Sequence, residues 1–232
     1  MRILLALLLA AAPASTAMAQ GAPQLSSDRV NDFQIVIGML QGGKAADSID
    51  ILDPILADYE RNYVDEKRTL YCAEDDDEAQ LYEDAGKASG KTDYLVIDQG
   101  WCFALWAKGY ALVDIHKIGE AVPYLERAVA MAPYRAQYLS ELGNAYQELK
   151  QWDKALPAFT RAAESAQRLP GQRRVNMLGR AWRGMGFTLI ELGRWDEAEA
   201  VFNQALELNP NDEKAKNELA YIAQNRPKRR AK

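Results

Sequence analysis

The sequence predicts an all-α fold of stacked antiparallel helical hairpins. Two observations carry that expectation. Small and bulky side chains recur in register at a 34-residue interval, and residues suited to turning or stopping a helix fall at the middle and end of each interval. The clearest unit is residues 179–212, GRAWRGMGFTLIELGRWDEAEAVFNQALELNPND. Gly186 and Ala198 leave room for two helices to cross closely, while Trp182, Leu189 and Phe202 fill the volume beside the crossing. Gly193 suits a left-handed helix C-cap, and Pro210 ends the second helix.

With Met185 and Ala205 added, this pattern resembles the tetratricopeptide repeat, a helical pair of about 34 residues. The resemblance implies a right-handed superhelix that binds a partner on its concave side, rather than an active site.

Taken in order, the chain opens MRILLALLLAAAPASTAMAQ: Arg2, an apolar run over residues 3–12, and Ala17-Met18-Ala19 as a small-x-small cleavage site. This predicts a secretory signal peptide at 1–19, because the run is too short to span a bilayer. The processed chain is therefore expected to be periplasmic or secreted, without an integral membrane segment. Residues 20–62 read as a degenerate helical hairpin. Placing Gly43 on Gly193 puts Ser48, Leu52 and Ile55 at the positions of Ala198, Phe202 and Ala205, as an N-terminal cap of the array.

Residues 63–101 break the pattern and are expected to form an irregular helical connector. A short helix is predicted near residues 77–87, with the acidic run from Glu74 to Glu78 at its start, where the helix dipole favours negative charge. The regular array then runs through hairpins at 102–135, 136–169 and 179–212. The first carries Leu105, Gly109, Leu112, Ala121, Leu125, Ala128 and Pro133 in register with the third. The second carries Leu142, Gly143, Tyr146, Ala155, Phe159 and Ala162. Extra residues before the third hairpin, around Leu169-Pro170-Gly171, mark a loop or an extended helix end. Residues 213–225 are expected to cap the array with Ala215, Leu219 and Ile222 inward, and 226–232 to be a basic disordered tail.

Composition narrows the function classes. Removing Arg2 from the 28 basic residues leaves 27 against 33 acidic ones, a net charge near −6 that disfavours nucleic-acid binding. A single histidine, His116, falls in a predicted turn, so no His-based metal cluster or Ser-His-Asp triad is expected. No catalytic, metal-binding or cofactor-binding residues are assigned, and the protein is expected not to be an enzyme.

Cys72 and Cys102 are expected to form a disulfide that closes the connector onto the array, worth about 3–4 kcal/mol in the chain-entropy model. Two reduced buried thiols or a redox pair are the alternatives, although their spacing is not C-x-x-C.

The resemblance also implies which side chains face the groove. They are Phe103, Trp106, Tyr110 and Val113 in the first hairpin, Gln137, Ser140, Asn144 and Gln147 in the second, and Arg180, Arg183, Phe187 and Ile190 in the third. Such a surface suits an extended peptide or a partner helix, with aromatics supplying buried area and the arginines gripping a carboxylate or carbonyls. Closure of the aromatic end by the N-terminal segment is the competing expectation. Trp106 and Tyr110 stand where chaperone-clamping relatives carry Lys and Asn, so that specificity is not carried over. The predicted role is an adaptor binding a protein or peptide, in envelope assembly or secretion. A thiol-disulfide module and a self-associating structural unit are the alternatives, and the oligomeric state is left open.

Overall fold

The computed structural model describes residues 24–90 and 93–227; the expected signal peptide and the end of the basic tail lie outside the described residues. The array is a helical superhelix, with α1 (Ser27–Gln41), α2 (Ala45–Asn62), α4 (Gly100–Asp114), α5 (Ile118–Met131), α6 (Ala136–Glu148), α7 (Trp152–Ala166), α8 (Gly171–Glu191), α9 (Trp195–Leu208) and α10 (Glu213–Asn225). Each helix packs mainly on its neighbours in sequence, which is how a repeat architecture builds one continuous core from local contacts.

The glycines explain the close crossings. A Cβ on Gly109 would stand 2.6 Å from Leu125, one on Gly143 2.8 Å from Phe159, and one on Gly186 2.5 Å from Phe202. Each first helix therefore presents a gap that a large side chain of the second helix fills. Gly184 gives Phe159 a second gap, 2.2 Å from its ring, so one phenyl locks two adjacent hairpins together.

All four hairpins turn through a residue in the left-handed region: Gly43 (φ 71°), His116 (φ 61°), Lys150 (φ 56°) and Gly193 (φ 72°). His116 is an exposed turn residue. The N-terminal hairpin buries Ser48, Leu52 and Ile55, and α2 packs on α4.

The connector differs from its expected irregular helical form. It is a parallel β-α-β unit of β1 (Thr69–Ala73), α3 (Asp76–Ala88) and β2 (Tyr94–Asp98), with Cys72 opposite Ile97. Its strands, TLYCA and YLVID, are rich in β-branched and aromatic residues, and parallel pairing needs a crossover of the length that α3 supplies. The acidic run caps α3. Asp75 accepts from the Glu78 amide at 2.8 Å, and the Glu78 carboxylate accepts from the Glu74 amide at 2.8 Å, so the N-cap is made by Asp75 and Glu78 reaches back to the residue before it.

Cys72 and Cys102 are bridged. Both are fully buried, and the bond ties β1 to the first helix of the array.

The extra residues before the third hairpin lengthen α8 rather than form a separate loop, because the helix starts at Gly171 directly after Pro170. At the other end, Arg226 departs from the expected disordered tail. It pairs with Glu199 and lies 3.0 Å from Asp196, because these two carboxylates stand nearly one turn apart on α9. Among the described residues, no helix is long and apolar enough to cross a membrane.

Candidate inner groove

Two hollows lie along the face lined by α4, α6 and α8. The first, about 570 Å³, is a chamber roofed by α1. Phe33 of α1 meets Phe103 with ring centroids 4.4 Å apart, and Trp106 contacts the rings of Phe103, Tyr110 and Tyr138 at 5.6–5.8 Å. The N-terminal hairpin thus covers the aromatic end without filling it. Phe103 and Tyr110 are half-buried, and Trp106 is 8% exposed.

The second hollow, about 400 Å³, is open and lined by Asn144, Gln147, Arg183, Phe187 and, from the capping helix, Lys214 and Asn217. Arg180 lines both hollows. Phe187 is 39% exposed and leans edge-on against Trp152 at 6.2 Å.

Several groove positions are engaged within the chain. Arg180 pairs with Glu141, which is 3% exposed, and Arg183 pairs with Asp212, which is 7% exposed. Both guanidiniums are therefore tied to buried carboxylates of neighbouring elements. Gln147 donates its amide to the carbonyl of Gly184 at 2.8 Å and to Thr188 Oγ1 at 2.7 Å, pinning α6 to α8. Gln137 lines the chamber, Val113 is half-buried, and Ser140 is fully buried. Ile190 is buried with Val201 and Phe202 beneath the groove and lines neither hollow.

At the chamber's edge Arg135 pairs with Glu78 and, at 2.9 Å, with Glu74, which also lies 3.2 Å from Arg173. This network fastens the β-α-β unit to α6 and α8. Burial opposes the Arg135 charge, but Tyr138, Glu78 and Glu74 outweigh it and hold the group protonated. Burial pushes the adjacent Tyr138 phenol up to about 12.

Sequence reasoning missed Phe33, Gln34, Arg173, Lys214 and Asn217 as groove residues. The third hairpin's extra residues place Arg173 there, since they lengthen α8 toward the connector. Lys214 and Asn217 lie on the capping helix outside its inward set of Ala215, Leu219 and Ile222, and line the open hollow. Phe33 carries no signal beyond an ordinary helical face.

Residues 134–211, spanning the second and third hairpins, match the family model described as tetratricopeptide repeat. This segment is tetratricopeptide repeat, and the hairpin before it repeats the same glycine-to-core packing. No curated protein matches the chain by sequence.

Among solved structures, the chain is similar to MamA MSR-1 C2 at 22% identity and a TM-score of 0.53, over 86% of this chain and 87% of that one. It is similar to the MamA RS-1 ArsTM double mutant at 13% identity and a TM-score of 0.56, over 87% and 86%. The first tetratricopeptide domain of Spaghetti (RPAP3), bound to an HSP90 peptide, matches at 24% identity and a TM-score of 0.47, over 53% of this chain and 90% of that one. The likeness to the two MamA structures extends the shared fold to most of the chain.

Proposed function

We propose that this protein is a non-enzymatic scaffold that binds a segment of a partner protein along its inner groove. The observation that carries this reading is that Arg180 lines both hollows, so that the aromatic chamber and the open hollow beside the capping helix adjoin on the inner face. Concave surfaces that combine apolar area with a few convergent polar groups suit an extended peptide or a helix. The leader-like sequence at 1–19 supports export to the periplasm or beyond, with a role in envelope assembly or secretion. Complete burial of the Cys72–Cys102 bridge supports a structural bond over a redox module, since a buried disulfide gives an attacking thiolate no access.

Pull-down from the protein's own envelope extract, with captured chains identified by mass spectrometry, tests the proposal. Phe187→Ser combined with Asn144→Ala changes the open hollow without disturbing an ion pair. It is expected to lose the partner while helicity stays unchanged. Undiminished capture would contradict the groove as the binding surface.

A further inference from the structure

The β-α-β unit leaves one strand edge unpaired. Both faces of β2 are covered: Leu95 and Ile97 join the core of the array, and Val96 packs toward Tyr82 of α3. β1 is the inner strand, packed also on α4 and α5. The register fixes which groups of β2 point away from β1. Thr69 opposes Tyr94, and its amide donates to the Asp93 carbonyl at 3.0 Å, so residues 93, 95 and 97 turn their N–H and C=O toward β1. Alternate residues of an extended strand turn theirs the other way. Those are Tyr94, Val96 and Asp98, and no hydrogen bond reaches their backbone groups from any described residue. The segment that leads into β1 bonds within itself instead, the Lys67 and Arg68 amides both donating to Glu66 at 3.0 Å.

We propose that the outer edge of β2 receives an extended segment of a partner protein as a third strand, with a basic residue at each end of four uncharged residues. A row of main-chain donors and acceptors fits an extended backbone. Free edges are ordinarily guarded by lysine, proline or a bulge, and the run Tyr94-Leu95-Val96-Ile97 carries no charge and no proline. The two ends of this run supply the charge preference. Asp93 is exposed and forms no ion pair among the described residues, because Arg68, which feels its charge, is held by Glu66 at 2.6 Å. Asp98 accepts from the Tyr59 hydroxyl at 2.5 Å and the Gly100 amide at 2.8 Å through Oδ1 alone. Basic residues directly across from these two acids are favoured. Antiparallel pairing with a second copy would instead set both α3 helices on one face of the joined sheet, and α3 carries five acidic residues and one lysine. None of the β2 residues lines either hollow of the inner groove, so this surface is tested apart from the groove.

The test is nuclear magnetic resonance of the ¹⁵N-labelled protein with two acetylated, amidated hexapeptides, KTVTVK and its acidic counterpart ETVTVE. Without peptide, the amides of Tyr94, Val96 and Asp98 should exchange quickly with solvent while those of Leu95 and Ile97 are protected. KTVTVK is expected to shift the three outward amides downfield and slow their exchange, and ETVTVE to leave them unchanged. Val96→Pro removes an outward N–H without touching the β1 ladder, since proline is tolerated at a strand edge. It should weaken KTVTVK about tenfold, the equivalent of one lost hydrogen bond, while Leu95 and Ile97 stay protected and show the sheet intact. Asp93→Lys should weaken KTVTVK about threefold, as expected for a cross-strand charge pair.

Outward amides that ignore KTVTVK, or respond equally to ETVTVE, overturn the proposal, as does undiminished binding by Val96→Pro. Slow exchange of the three amides in the peptide-free protein at every concentration would show the edge already closed, which also overturns it. Protection that rises with protein concentration alone would make a second copy the occupant and overturn the assignment to a basic partner segment.

Discussion

Arg180 of α8 and Glu141 of α6 form an ion pair across the inner face, with the carboxylate buried and the guanidinium one-third exposed. The two ends of this pair are unequal. Arg180→Met leaves a buried carboxylate without a counter-charge and should cost about 3 kcal/mol of stability. Glu141→Gln leaves an arginine that still reaches water and should cost about 1 kcal/mol. Urea unfolding of the two variants measures the difference, and equal losses would show that burial does not govern the pair. The same asymmetry makes charge reversal at Arg180 unsuitable for probing partner binding, because it would set two carboxylates together.

His116 and Lys150 occupy left-handed turn positions that Gly43 and Gly193 fill in the other two hairpins. Side chains with a Cβ are strained there. His116→Gly and Lys150→Gly should each raise stability by about 0.5–1 kcal/mol, read as a higher urea midpoint with an unchanged slope. A loss of stability at either site would contradict the strain argument.

The Cys72–Cys102 bond closes a loop of 30 residues around the β-α-β unit. Replacing both with Ala should cost about 3–4 kcal/mol, less any structure the unfolded loop retains. Because both cysteines are buried, mild reductant should leave the bond intact until denaturant is added. Rapid reduction of the folded protein, followed by thiol labelling, would contradict a purely structural bond.

Tyrosine ionisation should destabilise the fold in alkali. Tyr138 rises to about 12 through burial. Tyr59 and Tyr82 are also raised, chiefly by burial and then by Asp98 and Glu78 respectively. Raised phenol values favour the folded state fully below the ordinary value near 10, and that contribution fades as pH climbs through the folded values. Stability should therefore fall steadily above pH 10, with phenolate absorbance appearing alongside loss of helicity. Full phenol ionisation near pH 10 in a folded protein would contradict their burial.

The hairpins were legible because their determinants are local and recur in register. Gly109 with Leu125, Gly143 with Phe159 and Gly186 with Phe202 each lie 16 residues apart in sequence and touch in space. The β-α-β unit was not legible. Its two five-residue strands pair across an intervening helix, and short apolar runs do not declare their partner. For the groove, sequence placed the aromatics on one helix face and offered their closure by the N-terminal segment as the alternative, but did not point to Phe33 as the side chain that meets Phe103. Nor did it reveal that Arg180 and Arg183 are matched to Glu141 and Asp212, because those pairings join different elements 39 and 29 residues apart.

The central claim is that the inner face engages a partner. Photo-crosslinking in the native host tests it most directly, with p-benzoylphenylalanine placed at Phe187 in the open hollow or at Gln204, exposed on α9. The account predicts a discrete partner adduct from position 187 and none from 204. Adducts from 204 alone, or equally from both, would contradict it.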